Sequence, residues 1–141
     1  MKRSEHITTS ARQTQALAAR FVRTLPADTI VFLEGPLGAG KTVFVKGMAA
    51  GLGLETRRVR SPSFLLIHDY GGLIHVDCYR MQNARMGDLR EAGILDALEG
   101  AGIKAVEWAP AALPKKHPQS PRVRIDFISK EKRRIRISTA D

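Results

Sequence analysis

The chain reads as an α/β protein: a sheet with flanking helices, mixed by a central β-hairpin and a C-terminal β-hairpin. Three observations carry this expectation. A β-branched apolar run, Thr29-Ile30-Val31-Phe32-Leu33, leads into the glycine-rich stretch Gly35-Pro36-Leu37-Gly38-Ala39-Gly40-Lys41-Thr42, and the helix-compatible Val43 to Ala50 follows. Gly71-Gly72 separates Phe64-Leu65-Leu66-Ile67 from Leu73-Ile74-His75-Val76, a two-residue turn between apolar runs. Val123 to Ile128 and Arg134 to Ser138 alternate in polarity as a closing hairpin would.

In chain order, Thr8 to Ser10 supplies capping residues before Ala11 to Val22, where Leu17, Ala18, Phe21 and Val22 recur at helical spacing, so the chain is expected to open with a helix. Gly51 and Gly53 end the helix after the glycine loop, and Val59 to Tyr70 is read as a strand punctuated by Pro62. A helix is expected from Gly87 to Leu98, then a strand over Ile103 to Val106 and a Pro-rich connection from Pro110 to Pro121.

The chain has 141 residues, 43% of them hydrophobic, and one cysteine, Cys78. That length fits a single domain over residues 1–141 with one sizeable core. No apolar run approaches the ~18 residues needed to span a membrane, and no secretory leader is evident, so a cytoplasmic location without a membrane partner is expected. A lone cysteine excludes an internal disulfide. The net charge of +9 is uneven: Lys115, Lys116, Arg122, Arg124, Lys130, Lys132, Arg133, Arg134 and Arg136 crowd the C-terminal stretch against Asp126, Glu131 and Asp141. Such a patch suits an RNA or an acidic protein surface, or simply a solvated face. Few aromatics interleave with it, which argues against a stacking platform for single strands.

The glycine loop fits G-x-x-x-x-G-K-[S/T], the pattern of a triphosphate cradle. Gly35, Gly38 and Gly40 can take positive φ, so successive backbone N–H groups can turn toward a phosphate chain. A helix starting near Lys41 adds free amides and its dipole, extending the cradle through Val43. Lys41 is placed to reach β and γ oxygens, and the Thr42 hydroxyl to ligate Mg²⁺. Pro36 stiffens the loop without donating. ATP and Mg²⁺ are the cofactors this pattern suggests, with Leu37 and Ala39 completing the loop.

Two strands finish in a carboxylate, Leu73 to Asp77 and Ile103 to Glu107. In a doubly wound sheet, strands parallel to the one before the loop deliver their C-terminal residues to the ligand crevice. Asp77 and Glu107 are therefore candidates for holding the metal's water shell and orienting an attacking water. Asp69-Tyr70-Gly71-Gly72 offers a competing D-x-x-G pattern. A hairpin, however, puts the ends at Asp69 and Asp77 on opposite edges of the sheet, and no N-K-x-D tetrapeptide for guanine is present. Asp77 is the one favoured to face nucleotide, which brings Arg60-Ser61-Pro62-Ser63 to the same edge as a γ-phosphate sensor. His75 has no nearby set of metal ligands and is read as structural. Trp108 suits either a gating aromatic or an ordinary strand-end indole, and Arg80 either a phosphate contact or a structural ion pair.

The ordered set GPLGAGKT, RSPSF, HVDCYR and VEW closely resembles the bacterial TsaE (YjeE) family, from about Thr8 to Ile137. The resemblance implies a P-loop NTPase-like fold and a weak, partner-activated ATPase. Such a subunit serves formation of threonylcarbamoyladenosine at position 37 of tRNAs reading codons that begin with A. It implies work in a complex with the tRNA threonylcarbamoyl transferase and that enzyme's non-catalytic paralogue, with tRNA met directly or indirectly. By position, Lys41 and Thr42 would bind phosphate and Mg²⁺, and Asp77 matches the family's Walker-B-like acid. Glu107 and Trp108 match its Glu-Trp pair, Glu107 in a metal-binding or water-orienting role. Ser61 and Ser63 match a switch-like Ser-Pro-Thr segment, with Ser63 in place of threonine, and Pro36 stands where aspartate is common. The segment around Thr8 and Thr9 resembles the adenine-side wall. Two other functions are compatible with the loop and the charge: a small-molecule kinase, and a nucleotide-dependent RNA-binding adaptor.

Overall fold

The computed structural model describes residues 1–59 and 67–140. Its frame is a mixed sheet that, among these residues, has seven strands in the order β1-β7-β6-β2-β5-β4-β3. These are β1 (Lys2–Thr8), β2 (Ile30–Glu34), β3 (Ile67–Asp69), β4 (Leu73–Asp77), β5 (Ile103–Glu107), β6 (Arg122–Phe127) and β7 (Arg133–Thr139). The central strands β6, β2, β5 and β4 run parallel, while β3 and β7 are antiparallel to β4 and β6. Both expected hairpins are present, each carrying an antiparallel strand outward from the parallel centre.

Helices α1 (Ala11–Arg23) and α2 (Lys41–Gly51) cover one face. Ser10 caps α1, its hydroxyl accepting from Gln13 N–H at 3.1 Å. Leu17, Phe21 and Val22 of α1 join Phe44 and Met48 of α2 over Val31, Leu33, Val123, Ile125 and Ile135 of the sheet. The two helices approach closely through Gly47, where an added Cβ would lie 2.4 Å from the Gln15 carbonyl oxygen and 2.6 Å from Ala18 Cβ. Alanine in a helix interior gains about 1 kcal/mol over glycine, yet forcing a methyl into packed backbone costs about 1–3 kcal/mol. Gly47→Ala is therefore expected to lower stability by up to about 2 kcal/mol, read as a lower urea midpoint with unchanged slope.

The other face is half covered. Helices α3 (Met86–Glu91), α4 (Ile94–Glu99) and α5 (Ala112–Lys116) accompany a second core of Phe32, Val76, Leu89, Ile94, Val106 and Leu113. Beyond β2 this face has no helix among the described residues: Arg122 and Arg124 of β6 and Arg134 and Arg136 of β7 are exposed there. Asp126 holds two of them, accepting from Arg124 at 2.9 Å and Arg136 at 3.1 Å. Four of the nine C-terminal basic residues, Arg122, Arg124, Arg134 and Arg136, thus lie on a bare sheet surface, two of them paired with Asp126.

Three features differ from the sequence expectation. The chain opens with β1, not a helix; this strand has almost no apolar signal, its residues being exposed apart from the half-buried His6 and the buried Thr8, and it exists because seven residue pairs join it to β7. The helix expected over 87–98 is two short helices broken at Gly93, which adopts φ 80°. The Pro-rich connection contains α5. Of the strand expected over 59–70, residues 60–66 lie outside the described residues. No helix among the described residues is long and apolar enough to cross a membrane.

Cys78 is fully buried behind β4. Burial, helped by the Asp77 charge, pushes its thiol up to about 12 from 9.0. The folded chain holds this proton more tightly than the unfolded one, so the contribution is complete below pH 9.0 and fades as pH rises toward about 12. At pH 8 Cys78 is expected to resist an exposed-thiol reagent until denaturant is added; rapid labelling of the folded chain would contradict this.

Candidate functional site

The glycine loop leaves β2 at the sheet's centre and enters α2 at Lys41, as the sequence anticipates. Gly35, Gly38 and Gly40 take φ of 141°, 79° and 115°, all in the left-handed half of conformational space. A turn closes from Ala39 N–H to the Pro36 carbonyl at 3.1 Å, and Phe44 N–H to the Gly40 carbonyl at 2.9 Å starts the helix. Gly40 offers no side-chain cap, so the first amides of α2, at Lys41, Thr42 and Val43, remain available to an anion. A Cβ placed on Gly40 meets nothing within 4 Å, so the concave side of the loop is open. Leu37 and Pro36 are exposed and Thr42 half-buried.

Lys41 is buried and folds back on its own loop, donating to the Gly35 carbonyl at 2.5 Å and the Pro36 carbonyl at 3.3 Å. Its ammonium also lies 3.8 Å from the centre of the Trp108 ring. Burial pushes the Lys41 amine below its ordinary value, opposed by the charges of Glu107 and Asp77. Lys41, Asp77 and Glu107 thus share one electrostatic environment.

The carboxylates arrive as the parallel strands dictate. β4 and β5 are in register with Asp77 opposite Glu107, and β5 pairs with β2 so that Glu107 lies opposite Leu33, two residues before Gly35. Asp77 Oδ1 accepts from Tyr79 N–H at 2.8 Å. Burial raises the Asp77 carboxyl, while the Tyr79 amide pulls it back down. Asp69 sits at the far edge of the sheet, its Oδ1 accepting from Gly71 N–H at 2.8 Å in the β3-β4 turn. The hairpin argument against D-x-x-G therefore holds.

Trp108 follows Glu107 with φ 56°, a left-handed backbone that takes the chain out of the sheet. Its ring meets Tyr79 edge-on, with centroids 5.1 Å apart. A groove of about 450 Å³ opens between Trp108 and the first turn of the loop, with Phe32, Glu34 and Arg124 among its walls. Its size is that of a small-ligand site. Among the described residues no three His, Cys, Asp or Glu cluster as a metal cage. Mg²⁺ needs none, because it keeps most of its water and is held by one or two carboxylates together with phosphate oxygens.

The remaining expectations divide. Thr9 follows β1, whose last residue, Thr8, pairs with Arg133. The Thr9 hydroxyl and amide are both engaged by Gln13, at 2.9 and 2.7 Å. Arg80 is exposed and forms no ion pair among the described residues. Ser61 and Ser63 lie outside the described residues.

Two contacts escaped the sequence reading. Arg133 reaches 94 residues back to donate to the Ala39 carbonyl at 2.8 Å, its guanidinium stacked 4.5 Å from the Phe127 ring centre. His75 Nε2 hydrogen-bonds Glu107 Oε2. One signal for the second was available: His75, Asp77 and Glu107 fall on one sheet face once the two acid-ended strands are paired. Nothing in local sequence signals the first.

A glycine loop between a central parallel strand and a helix, with carboxylates ending the two neighbouring parallel strands, defines a P-loop α/β protein. The comparisons with known proteins narrow this class. The profile described as "Threonylcarbamoyl adenosine biosynthesis protein TsaE" matches residues 8–136, and the chain belongs to that family. It is 38% identical over 113 residues to the tRNA threonylcarbamoyladenosine biosynthesis protein TsaE of Bacillus subtilis, covering 77% of this chain and 68% of that one. The protein of the same name from Aquifex aeolicus is 34% identical over 138 residues, 94% of each chain. The crystal structure of Bacillus subtilis YdiB superposes with a TM-score of 0.71 at 30% identity, covering 99% of this chain and 87% of that one.

Proposed function

We propose that this chain is an ATP-binding, Mg²⁺-dependent ATPase subunit for threonylcarbamoyladenosine formation at position 37 of tRNAs reading codons that begin with A. The observation that carries the reading is the pairing of Asp77 with Glu107 beside Lys41, at the mouth of a glycine loop whose helix amides are free. The loop amides and Lys41 bind the phosphates, with Lys41 exchanging its loop carbonyls for phosphate oxygens. Thr42 and Asp77 hold the metal, and Glu107 joins them or orients water. When bound, Mg²⁺ supplies charge neutralisation on the phosphates.

The isolated chain is a poor catalyst in this reading. Among the described residues, two arginines near the loop are committed, Arg133 to the Ala39 carbonyl and Arg124 to Asp126. In this reading an arginine for charge stabilisation comes from a partner or a rearrangement, and such a contact is worth about 10³–10⁵ in rate. The partners proposed are the tRNA threonylcarbamoyl transferase and its non-catalytic paralogue. Reconstitution of the three proteins with tRNA, omitting each in turn, tests this through phosphate release and adenosine modification. Hydrolysis should need the partners and modification should need this chain. Robust hydrolysis by the chain alone, or a phosphorylated small molecule as product, would contradict the reading.

A further inference from the structure

We propose that His75 is the positioning residue for Glu107. The inference rests on the reading that Glu107 serves the phosphate site, and it assigns His75 a task beyond filling the core.

His75 is wholly buried, and Glu107 nearly so. The pair is diagonal across β4 and β5, since His75 lies opposite Ala105 and Asp77 opposite Glu107. Diagonal neighbours on adjacent strands lie within reach of long side chains. The carboxylate only accepts, so Nε2 carries the hydrogen and donates to Oε2. Among the described residues Glu107 Oε1 has no hydrogen-bond partner, which leaves the second oxygen for the site. The imidazole thus pins one oxygen and aims the other.

The surroundings make a purely packing role expensive. The Tyr70 ring lies beside His75, with centroids 6.4 Å apart. His75 Nδ1 has no hydrogen-bond partner among the described residues. A leucine at this position would bury no polar ring, so a buried imidazole asks for a reason in the hydrogen bond it makes. Holding a working carboxylate through one imidazole hydrogen bond is such a reason.

Three variants, His75→Leu, His75→Gln and Glu107→Gln, separate the alternatives. Glutamine places an amide N–H where Nε2 stands. In the reconstituted mixture His75→Leu should release phosphate about 10–100-fold more slowly, while His75→Gln recovers most of the rate. ADP affinity by calorimetry should stay within about threefold for both, as expected when only an interaction specific to the reacting state is removed. In the nucleotide-free chain, imidazole ¹⁵N spectra should show His75 as the Nε2–H tautomer, shifted in Glu107→Gln. If Glu107→Gln loses hydrolysis and both His75 variants keep it, the proposal falls and the role of Glu107 stands. If Glu107→Gln keeps hydrolysis, the reading beneath it falls too. Equal loss of hydrolysis, ADP binding and cooperative melting in both His75 variants would make His75 structural and overturn the assignment.

Discussion

A Glu107→Gln chain is expected to fold, bind ATP within about threefold of the parent and release phosphate about 10²–10³-fold more slowly in the reconstituted system. The substitution keeps the shape and an acceptor for His75, so it tests the charge alone. Two effects work together. Losing the carboxylate removes a group able to orient water or hold the metal's hydration shell, which is what phosphoryl transfer asks of a protein. It also takes away the largest charge that supports the ammonium of Lys41 against burial. Phosphate release within a factor of three of the parent would remove Glu107 from the site.

Gly35→Ala is expected to cost about 3–5 kcal/mol, the sum of backbone strain and overpacking, a large part of the ~5–15 kcal/mol that holds an ordinary domain together. Gly35 has φ 141°, and a Cβ there would fall 2.1 Å from the Ile125 carbonyl oxygen of β6. Backbone meets backbone, so no side chain can step aside. Gly40→Ala makes the control: it is strained at φ 115° but meets nothing within 4 Å. That variant should lose about 1–3 kcal/mol, with a cooperative transition retained. Equal urea midpoints for the two variants would show that the contact with Ile125 does not matter.

Patterns local in the chain were legible before the structure. β2, the glycine loop and α2 are contiguous, each with its own periodicity, and the acid-ended strands follow from parallel pairing, so Lys41, Asp77 and Glu107 could be placed from sequence. What escaped was set by distant partners. β1 carries no alternating apolar pattern because it is an edge strand, and pairing with β7 makes it a strand. The break at Gly93 was hidden because Leu89, Ile94, Leu95 and Leu98 keep an apolar stripe through it. His75 reads as structural because no set of metal ligands stands near it; its place on the face of Glu107, 32 residues away, emerges only when the two acid-ended strands are set in register.

The order in which the chain is made gives the Arg133 contact a temporal meaning. The loop of residues 35–42 is synthesised early, but the side chain that grips it at Ala39 comes from β7. β1, which precedes the loop in the chain, pairs among the described residues only with that same strand. Until residues 133–139 leave the ribosome, an earlier strand lacks the neighbour described for it and the loop lacks its contact with Arg133. A nascent chain stalled before Arg133 would therefore carry the glycine motif without the guanidinium that meets the Ala39 carbonyl, so the loop's last contact arrives with the C-terminal strand.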